Sequence, residues 1–233
     1  MTIVSETEPG TRGTSQTSWP SDATHRMNRM YRWQRFIYDA TRRYYLLGRD
    51  QLIAELNPAP GSHVLEIGCG TGRNLVQAAR RYPAAQFSGI DVSTEMLTTA
   101  LGAIKRHGLD GRIRVAHGDA TDFDPIRLFG VAPDHIVISY ALSMIPAWHD
   151  VLREAVTRLK PGGRLHIVDF GDQERLPASA RKMLQRWLAL FDVTPRSDLQ
   201  HALVTLAERH QAQLDFKRPL RGYAQLAVLT LKA

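Results

Sequence analysis

The sequence predicts a doubly wound α/β fold with a mostly parallel seven-stranded sheet, an antiparallel C-terminal strand and an N-terminal helical cap. Three observations predict it. From residue 60 onward, short apolar runs alternate with helical segments, the pattern of parallel strands joined by right-handed crossovers. Lys160-Pro161-Gly162-Gly163 is a stop-and-turn signal before a fifth apolar run, and the end of the chain alternates like an antiparallel strand pair.

The individual elements follow from these periodicities. Predicted strands are His63–Ile67, Gln86–Ile90, Ile113–His117, His135–Tyr140 and Arg164–Phe170, with closing strands at 213–218 and 223–232. Predicted helices are Arg73–Arg81, Thr94–Arg106, Trp148–Leu159, Ala178–Phe191 and Asp198–Ala212. Residues 58–233 are therefore expected to form one domain.

The segment before this domain divides into two parts. Residues 1–22 are rich in Ser, Thr, Gly and Pro and are expected to be a disordered tail. Residues 23–57 are expected to form an amphipathic helical cap or lid, which Gly48 can divide into two helices. The apolar side of this cap carries Met30, Trp33, Ile37, Tyr44 and Leu47, and the opposite side carries Arg32, Arg35, Arg42, Arg43 and Arg49.

The composition of the chain indicates which kinds of partner and which cellular compartment to expect. The formal charge of +7 indicates anionic partners, either nucleic acid, an acidic membrane surface or acidic substrates. No apolar run is long enough to span a bilayer, and the N-terminus lacks the features of a secretory signal. Cys69 is the only cysteine, which excludes an intramolecular disulfide and fits the cytoplasm, and no His/Asp/Glu constellation predicts a metal.

A glycine-rich turn follows the first predicted strand. Glu66 to Gly72 reads E-I-G-C-G-T-G, with glycines at Gly68, Gly70 and Gly72. Glycines permit a sharp turn and, because they lack Cβ atoms, let the backbone approach a ligand closely. The spacing differs from the dinucleotide pattern G-x-G-x-x-G, because position 73 is arginine. By itself the turn predicts only a nucleotide-like site.

Two carboxylates at the ends of the next strands make this prediction more specific. Asp91 lies nineteen residues beyond Gly72, where an acidic side chain can accept both hydroxyls of an adenosine ribose. Asp119 ends the third strand, so its carboxylate can receive an adenine amino group. An NAD enzyme does not require an acidic residue such as Asp119 at the end of the third strand. The set therefore favours an adenosine cofactor other than NAD.

The motifs VLEIGCGTG, GIDVS, HGDAT and LKPGGRLHIVDF together resemble the seven-stranded, Rossmann-like S-adenosylmethionine-dependent methyltransferases, over roughly residues 60–170. The resemblance implies S-adenosylmethionine as cofactor. It also implies that Glu66 helps to hold the methionine amino group, that Asp91 and Val92 contact the adenosine, and that Asp119 and the Ala120 amide bind adenine.

The segment after the fourth strand, residues 139–146, narrows the acceptor. It lacks the additional acidic residues usual in aminopropyl transferases of this fold. It also lacks the Asn/Asp-Pro-Pro-Tyr signature of many nucleic-acid and protein amine methyltransferases. A small-molecule or lipid acceptor is therefore favoured.

The segment MYRWQRFIYDATRRYYLLGRDQLI, residues 30–53, resembles the opening of the bacterial diacylglyceryl-homoserine N-methyltransferases of betaine-lipid synthesis. That resemblance implies three successive methyl transfers to the homoserine amine of a membrane lipid, giving a trimethylated betaine head group. Tyr38, with Asp39 and Gly48, also resembles the pre-sheet segment of quinone-type methyltransferases, in which the tyrosine approaches the methionine end of the cofactor. Tyr38 is therefore an expected active-site residue.

Candidate acceptor residues follow from the chemistry of this head group. Aromatic faces bind quaternary ammonium groups, which makes Tyr31, Tyr44 and Tyr45 candidates, although packing of a cap helix explains them equally well. Arginine binds carboxylates in bidentate fashion, and Arg35, Arg42 or Arg43 can serve. Further candidates near the strand ends are Tyr140, His149 and Asp172, of which His149 also suits a plain surface position.

The sequence thus predicts a lipid-amine N-methyltransferase at the inner membrane face, with its arginines on an anionic membrane surface. A phosphatidylethanolamine or small-molecule methyltransferase is the alternative. An RNA-binding methyltransferase or non-catalytic binder is a weaker one, because no RRM, KH or basic-aromatic platform is present. No nucleic-acid partner is expected. The sequence does not determine the oligomeric state or the acyl preference.

Overall fold

A computed structural model describes residues 46–174, 176–190 and 193–233 of the chain. These residues belong to one unit, Leu46–Ala233. The predicted tail and residues 23–45 of the predicted cap lie outside the described residues. The division between cap and sheet domain at residues 57 and 58 stays a prediction.

Seven strands form one sheet. They are β1 His63–Ile67, β2 Gln86–Asp91, β3 Ile113–His117, β4 His135–Ser139, β5 Arg164–Phe170, β6 Gln213–Lys217 and β7 Ala224–Thr230. Their order across the sheet is β3-β2-β1-β4-β5-β7-β6. Neighbours among β1 to β5 are parallel, whereas β7 runs antiparallel to both β5 and β6. The predicted mostly parallel sheet with an antiparallel C-terminal strand is confirmed.

The described helices are α1 Arg49–Glu55, α2 Arg73–Arg81, α3 Thr94–Arg106, α4 Pro125–Phe129, α5 Trp148–Arg158, α6 Ala178–Ala189 and α7 Leu199–His210. Most of their ends lie within a few residues of the predicted ones. The short helix α4 was not predicted, because five residues are too few to show a helical period. The Asp124 carboxylate caps it by accepting from the amides of Ile126 and Arg127.

The core lies on both faces of the central strands. All five residues of β1 and all five of β4 are buried, as is usual for central strands of a parallel sheet that is covered on both faces. The chain leaves β1 toward β2 on one side, and β4 lies on the other, so the strand order reverses between β1 and β4. In open α/β sheets a ligand binds outside the carboxyl ends of the strands at such a reversal. The fold therefore fixes the position of the site.

Helix α1 is the described end of the predicted cap. It begins directly after Gly48, whose φ of 87° is left-handed, so a helix start lies at this position; the division of the cap into two helices stays a prediction. A Cβ at this position would lie 3.2 Å from Leu226 Cδ1 and 3.3 Å from Val168 Cγ2. At its other end, the Tyr82 hydroxyl lies 2.9 Å from the carbonyl oxygens of both Ile53 and Ala54. The helix is thus attached to the sheet domain at both ends.

Three buried histidines lie on neighbouring strands. His63 begins β1, His135 begins β4 and His166 lies in β5, and each is less than a tenth exposed. The ring nitrogens His135 Nδ1 and His166 Nε2 are 3.1 Å apart. Burial, with nearby Arg114 and Lys160, lowers the pKa of His63 to about 4, and burial lowers the pKa of His166 to about 3. These side chains are therefore neutral in the native state at neutral pH.

We expect the free energy of unfolding to fall as pH decreases below about 6.5. The unfolded chain takes up protons there, while His63 and His166 cannot until much lower pH. By pH 5 each contributes a loss of about 2 kcal/mol, which Asp169, whose pKa burial raises to about 6, offsets by about 1 kcal/mol. Urea unfolding at pH 7.5 and 5.0 measures the difference.

The matched control is His210, which is exposed at the end of α7. His166→Gln should flatten the pH dependence, whereas His210→Gln should leave it unchanged. Equal stability of the parent protein at the two pH values would show that the histidines are not buried in the neutral form.

Candidate functional site

The glycine-rich turn joins β1 to α2 at the strand-order reversal. Gly68 and Gly72 have φ angles of 68° and 73°, in the left-handed region that favours glycine. A Cβ on Gly68 would approach the Ala141 Cβ to 2.9 Å, and one on Gly72 would approach the Ala100 Cβ to 3.0 Å. Both positions therefore require the absence of a side chain, as the sequence predicts.

Asp91, the last residue of β2, fixes the shape of this turn. Its Oδ2 accepts from the Gly70 amide at 2.8 Å, and its Oδ1 accepts from the Ser93 amide at 2.9 Å. The carboxylate is half-buried and a carboxylate has about four acceptor positions, so it can still accept from a ligand's hydroxyls. Asp91 thus combines a structural role with the predicted ribose-binding role.

The next two predicted contacts lie at the ends of β2 and β3. Val92 is 63% exposed, which is unusual for an apolar residue directly after a buried strand, and it offers a surface on which a flat base can pack. Asp119 is exposed, and its Oδ1 accepts from the Thr121 amide and hydroxyl. These hydrogen bonds, the amide's first, lower the pKa of Asp119. Ala120 is buried beside it.

Glu66 lies inside the sheet below the turn. It is 2% exposed, and its Oε1 accepts from the Asn74 side-chain amide at 2.7 Å. Asn74 is the second residue of α2, so the contact ties the start of α2 to the middle of β1. In this position the Glu66 side chain supports the start of α2 from within the sheet.

These residues fit an adenosyl cofactor. The two glycines let the turn pack closely against Ala141 and Ala100, and the Asp91 and Asp119 carboxyl groups present acceptors at the ends of adjacent strands. Val92, which directly follows Asp91, supplies an exposed apolar surface. The groups therefore match the donors and the flat base of an adenosine.

Comparison with known proteins agrees with this geometry. Residues 64–163 match the model of a methyltransferase domain family. Over these residues, which are a little under half of the chain, the sequence is similar to methyltransferase domains. The predicted fold is thereby supported from sequence, and the predicted cofactor, S-adenosylmethionine, agrees with the match.

Curated relatives resemble parts of the chain. The O-methyltransferase cnsE of Penicillium expansum is 31% identical over 153 residues, which are 64% of this chain and 52% of that protein. Ribosomal RNA small subunit methyltransferase C of Pseudomonas aeruginosa is 30% identical over 52% of this chain and 36% of its own. Demethylmenaquinone methyltransferase of Listeria monocytogenes is 32% identical over 47% and 45%. The chain thus spans about half or less of these relatives.

Solved structures show the same fold. An O-methyltransferase family protein from Burkholderia thailandensis superposes with a TM-score of 0.65 at 21% identity, covering 84% of this chain and 59% of that chain. A geranyl diphosphate methyltransferase in complex with SAM superposes with a TM-score of 0.60 at 17% identity, covering 82% and 86%. At these identities the likeness concerns the fold of the methyltransferase domain.

Tyr140 directly follows β4, and its side chain holds the backbone just before α1. It is 2% exposed, has a left-handed φ of 55°, and its hydroxyl donates to the Leu47 carbonyl. Its ring packs edge-on against Phe170 at 4.6 Å between centroids. Burial raises the pKa of Tyr140, and nearby Tyr223 and Asp169 raise it further. This geometry favours a positioning role over that of a base.

The other two polar candidates also have partners. His149 stacks on Trp148, and its Nε2 lies 3.8 Å from Asp198 Oδ2, in a cavity of about 260 Å³ between α5 and α7. None of the predicted cofactor residues lines that cavity. Asp172 accepts from Arg218 Nη1 at 3.2 Å. A catalytic role for His149 stays a prediction, and so does one for Asp172.

The remaining predicted site residues, Tyr31, Arg35, Tyr38, Tyr44 and Tyr45, lie outside the described residues, and their roles stay predictions. Among the described residues, no group of histidine, cysteine and acidic side chains could hold a metal. No helix in the described ranges is long and apolar enough to cross a membrane.

Sequence reasoning missed a buried polar network behind the end of β4. Asp169 accepts from the Ser143 amide at 3.2 Å and from the Phe170 amide at 2.8 Å. Arg196 donates to the carbonyls of Leu142 and Ile145 at 3.0 and 2.9 Å. These bonds fix the loop after β4, against which an acceptor would bind. Apart from the bond between neighbours Asp169 and Phe170, the partners are 26 to 54 residues apart, so no local pattern reveals them.

We expect Asp91→Ala to weaken S-adenosylmethionine binding at least a hundredfold. The change removes the predicted ribose acceptor, at about 1.5–3 kcal/mol for each charged hydrogen bond, and releases the Gly70 and Ser93 amides. Titration calorimetry measures the affinity. Asp110→Ala, at an exposed aspartate outside the turn, is the control and should bind normally. Normal binding by the Asp91 variant would mean that the cofactor lies elsewhere.

We expect Tyr140→Phe to fold but to release the Leu47 carbonyl, because it removes one hydrogen bond worth about 1 kcal/mol. Trypsin should then cleave after Arg49, which is 8% exposed, about fivefold faster. Mass spectrometry of the fragments measures the rate. Tyr82→Phe is the matched control, because it removes a tyrosine–backbone bond at the other end of α1. Unchanged cleavage after Arg49 would rule out the anchoring role.

Proposed function

We propose that this chain is an S-adenosylmethionine-dependent N-methyltransferase. Its acceptor in this proposal is the amine of diacylglyceryl-homoserine, which three successive methyl transfers convert to a trimethylated betaine lipid head group. The donor half rests on the glycine turn with Asp91 and Asp119. The acceptor half rests on the resemblance of residues 30–53 to the homoserine-lipid enzymes.

The donor half assigns a task to each described residue. When bound, S-adenosylmethionine supplies a methyl group on a sulfonium, which an amine lone pair can attack. Asp91 and Asp119 hold and orient the adenosine, while Gly68 and Gly72 allow its close approach to the backbone. Positioning of this kind supplies most of the acceleration of a bimolecular transfer.

The observation that carries the acceptor half is the hydrogen bond from Tyr140 to the Leu47 carbonyl. Tyr140 directly follows β4, so it lies at the carboxyl edge of the sheet, where the donor site is also found. Leu47 belongs to the segment that resembles the homoserine-lipid enzymes. The described end of that segment is therefore fastened beside the site, which supports a role for the segment in acceptor binding.

The electrostatics of the strand ends also suit an amine. An amine attacks only as the neutral form, and apolar surroundings lower the pKa of its ammonium. Asp169, near the end of β5, is buried under amide hydrogen bonds. Asp172 and Glu174, which follow β5, lie 3.2 and 3.7 Å from Arg218 Nη1. Met144 is 43% exposed at the same edge. These surroundings do not stabilise a protonated amine and therefore favour the reactive form.

Two other acceptor classes have support of their own. The charge of +7 and the 30% identity to a ribosomal RNA methyltransferase favour an RNA acceptor. The resemblance to an O-methyltransferase favours a small hydroxylated molecule. Phosphatidylethanolamine is the nearest lipid alternative. Each is best tested beside the homoserine lipid, because all share the same donor site.

The test is methyl incorporation from labelled S-adenosylmethionine into diacylglyceryl-homoserine in mixed micelles, followed by mass spectrometry. We expect mono-, di- and trimethylated products from the full chain and none from Asp91→Ala, which serves as the background. Phosphatidylethanolamine, total RNA and a hydroxylated aromatic compound are offered in parallel. Labelling of one of these without labelling of the homoserine lipid would replace the proposed acceptor.

A further inference from the structure

Helix α6 is the helix that the described domain leaves most exposed. Of its described side chains only Leu188 is buried, whereas Met183 is 72% exposed and Leu190, just after the helix, is 73% exposed. The sequence from Ala178 to Ala189 contains three basic residues and no acidic one. The exposed surface of this helix therefore combines apolar and positively charged side chains.

The exposed residues of α6 are arranged along one side. Met183, Arg186 and Leu190 are spaced by three and four residues, so they follow one another on the same face of the helix. Arg186 is exposed between the two apolar side chains, and Lys182 is exposed next to them. We refer to these four residues as the α6 surface.

A second exposed pair lies at the carboxyl edge of the sheet. The turn between β6 and β7 contains Leu220, which is 50% exposed, and exposed Arg221, with left-handed φ angles of 55° and 58°. Because β6 runs parallel to β5, this turn lies at the same edge as the end of β5. It again presents one apolar and one basic side chain.

The turn is attached to the segment that leads into α6. The Gly171 amide donates to the Tyr223 carbonyl at 2.8 Å, and the Gln173 amide donates to the Gly222 carbonyl at 2.9 Å. The acidic residues of this segment, Asp172 and Glu174, lie 3.2 and 3.7 Å from Arg218 Nη1. Their charge is therefore partly neutralised within the domain. The turn is thus bonded to the segment that precedes α6, and this segment presents no unpaired acidic side chain between them.

We propose that the α6 surface and the Leu220–Arg221 turn form a face that docks on an anionic lipid bilayer. Exposed apolar side chains enter the interface, and basic side chains beside them bind anionic head groups. The turn lies at the carboxyl edge of the sheet, where Tyr140 also lies, so docking through it brings that edge to the membrane. The proposal deepens the proposed function, which requires a membrane lipid as acceptor, although vesicle binding is measured independently of methyl transfer.

The experiment is co-sedimentation of the full chain with phosphatidylcholine vesicles, with and without phosphatidylglycerol. We expect binding only to the anionic vesicles. The variant Met183→Ser/Arg186→Glu should weaken this binding at least tenfold, because each basic residue at a charged surface contributes roughly a fivefold factor and the reversal acts twice. Its affinity for S-adenosylmethionine and its urea midpoint should stay unchanged, since both side chains are exposed.

Helix α3 offers a matched control. Leu101 is 56% exposed and Lys105 is exposed one turn later, so Leu101→Ser/Lys105→Glu makes the same change in apolarity and charge on another helix. The affinity of the control variant for anionic vesicles should fall less than about twofold, because a charge far from the membrane is screened by salt. Equal losses in the two variants would show that only net charge matters and would overturn the docking face. So would absence of binding by the parent protein.

The two proposals fail in different ways. If the parent protein ignores anionic vesicles but methylates the homoserine lipid in micelles, the docking face is wrong and the proposed function stands. If it binds these vesicles through α6 and methylates no homoserine lipid, the docking face stands and the acceptor is wrong.

Discussion

The Asp91 carboxylate is the interaction on which the rest of the site depends. It accepts from the Gly70 amide in the first turn and from the Ser93 amide at the start of α3. A single side chain therefore sets the distance between two crossover connections of the sheet. A ribose that binds the same carboxylate is positioned relative to both, so ligand binding and loop conformation are energetically coupled.

The parallel sheet explains why one carboxylate can reach both connections. Neighbouring parallel strands end at the same edge, and β1 and β2 are paired residue by residue up to Ile67 and Ile90. The register of the two strands therefore places the turn after β1 directly beside the residues after β2. The Gly68 and Cys69 amides both donate to the Ile90 carbonyl, at 2.9 and 3.0 Å. This pairing closes the turn against β2 before any ligand is present.

The glycine turn and the carboxyl groups at the strand ends were predictable from sequence because they lie in short segments with strict steric needs. The two positions at Gly68 and Gly72 exclude a Cβ, and Asp91 directly ends a strand, so local pattern is enough. The position of Tyr140 was also predictable, but its bonding was not. Its hydroxyl reaches a carbonyl 93 residues away, and such contacts depend on packing of the whole domain. The same holds for α4 and the Asp169 network.

Tyr140 connects the two halves of the proposed reaction. Its amide donates to the Val168 carbonyl at 2.8 Å, so the residue is fixed to β5 as well as following β4. Its hydroxyl holds Leu47, and a Cβ on Gly48 would already contact Val168 and Leu226 closely. The polypeptide at 46–49 therefore has little freedom to shift over the strand ends. This fixed point joins the residue after β4 to β5 and β7, so the described start of α1 is held at the same edge of the sheet as the glycine turn.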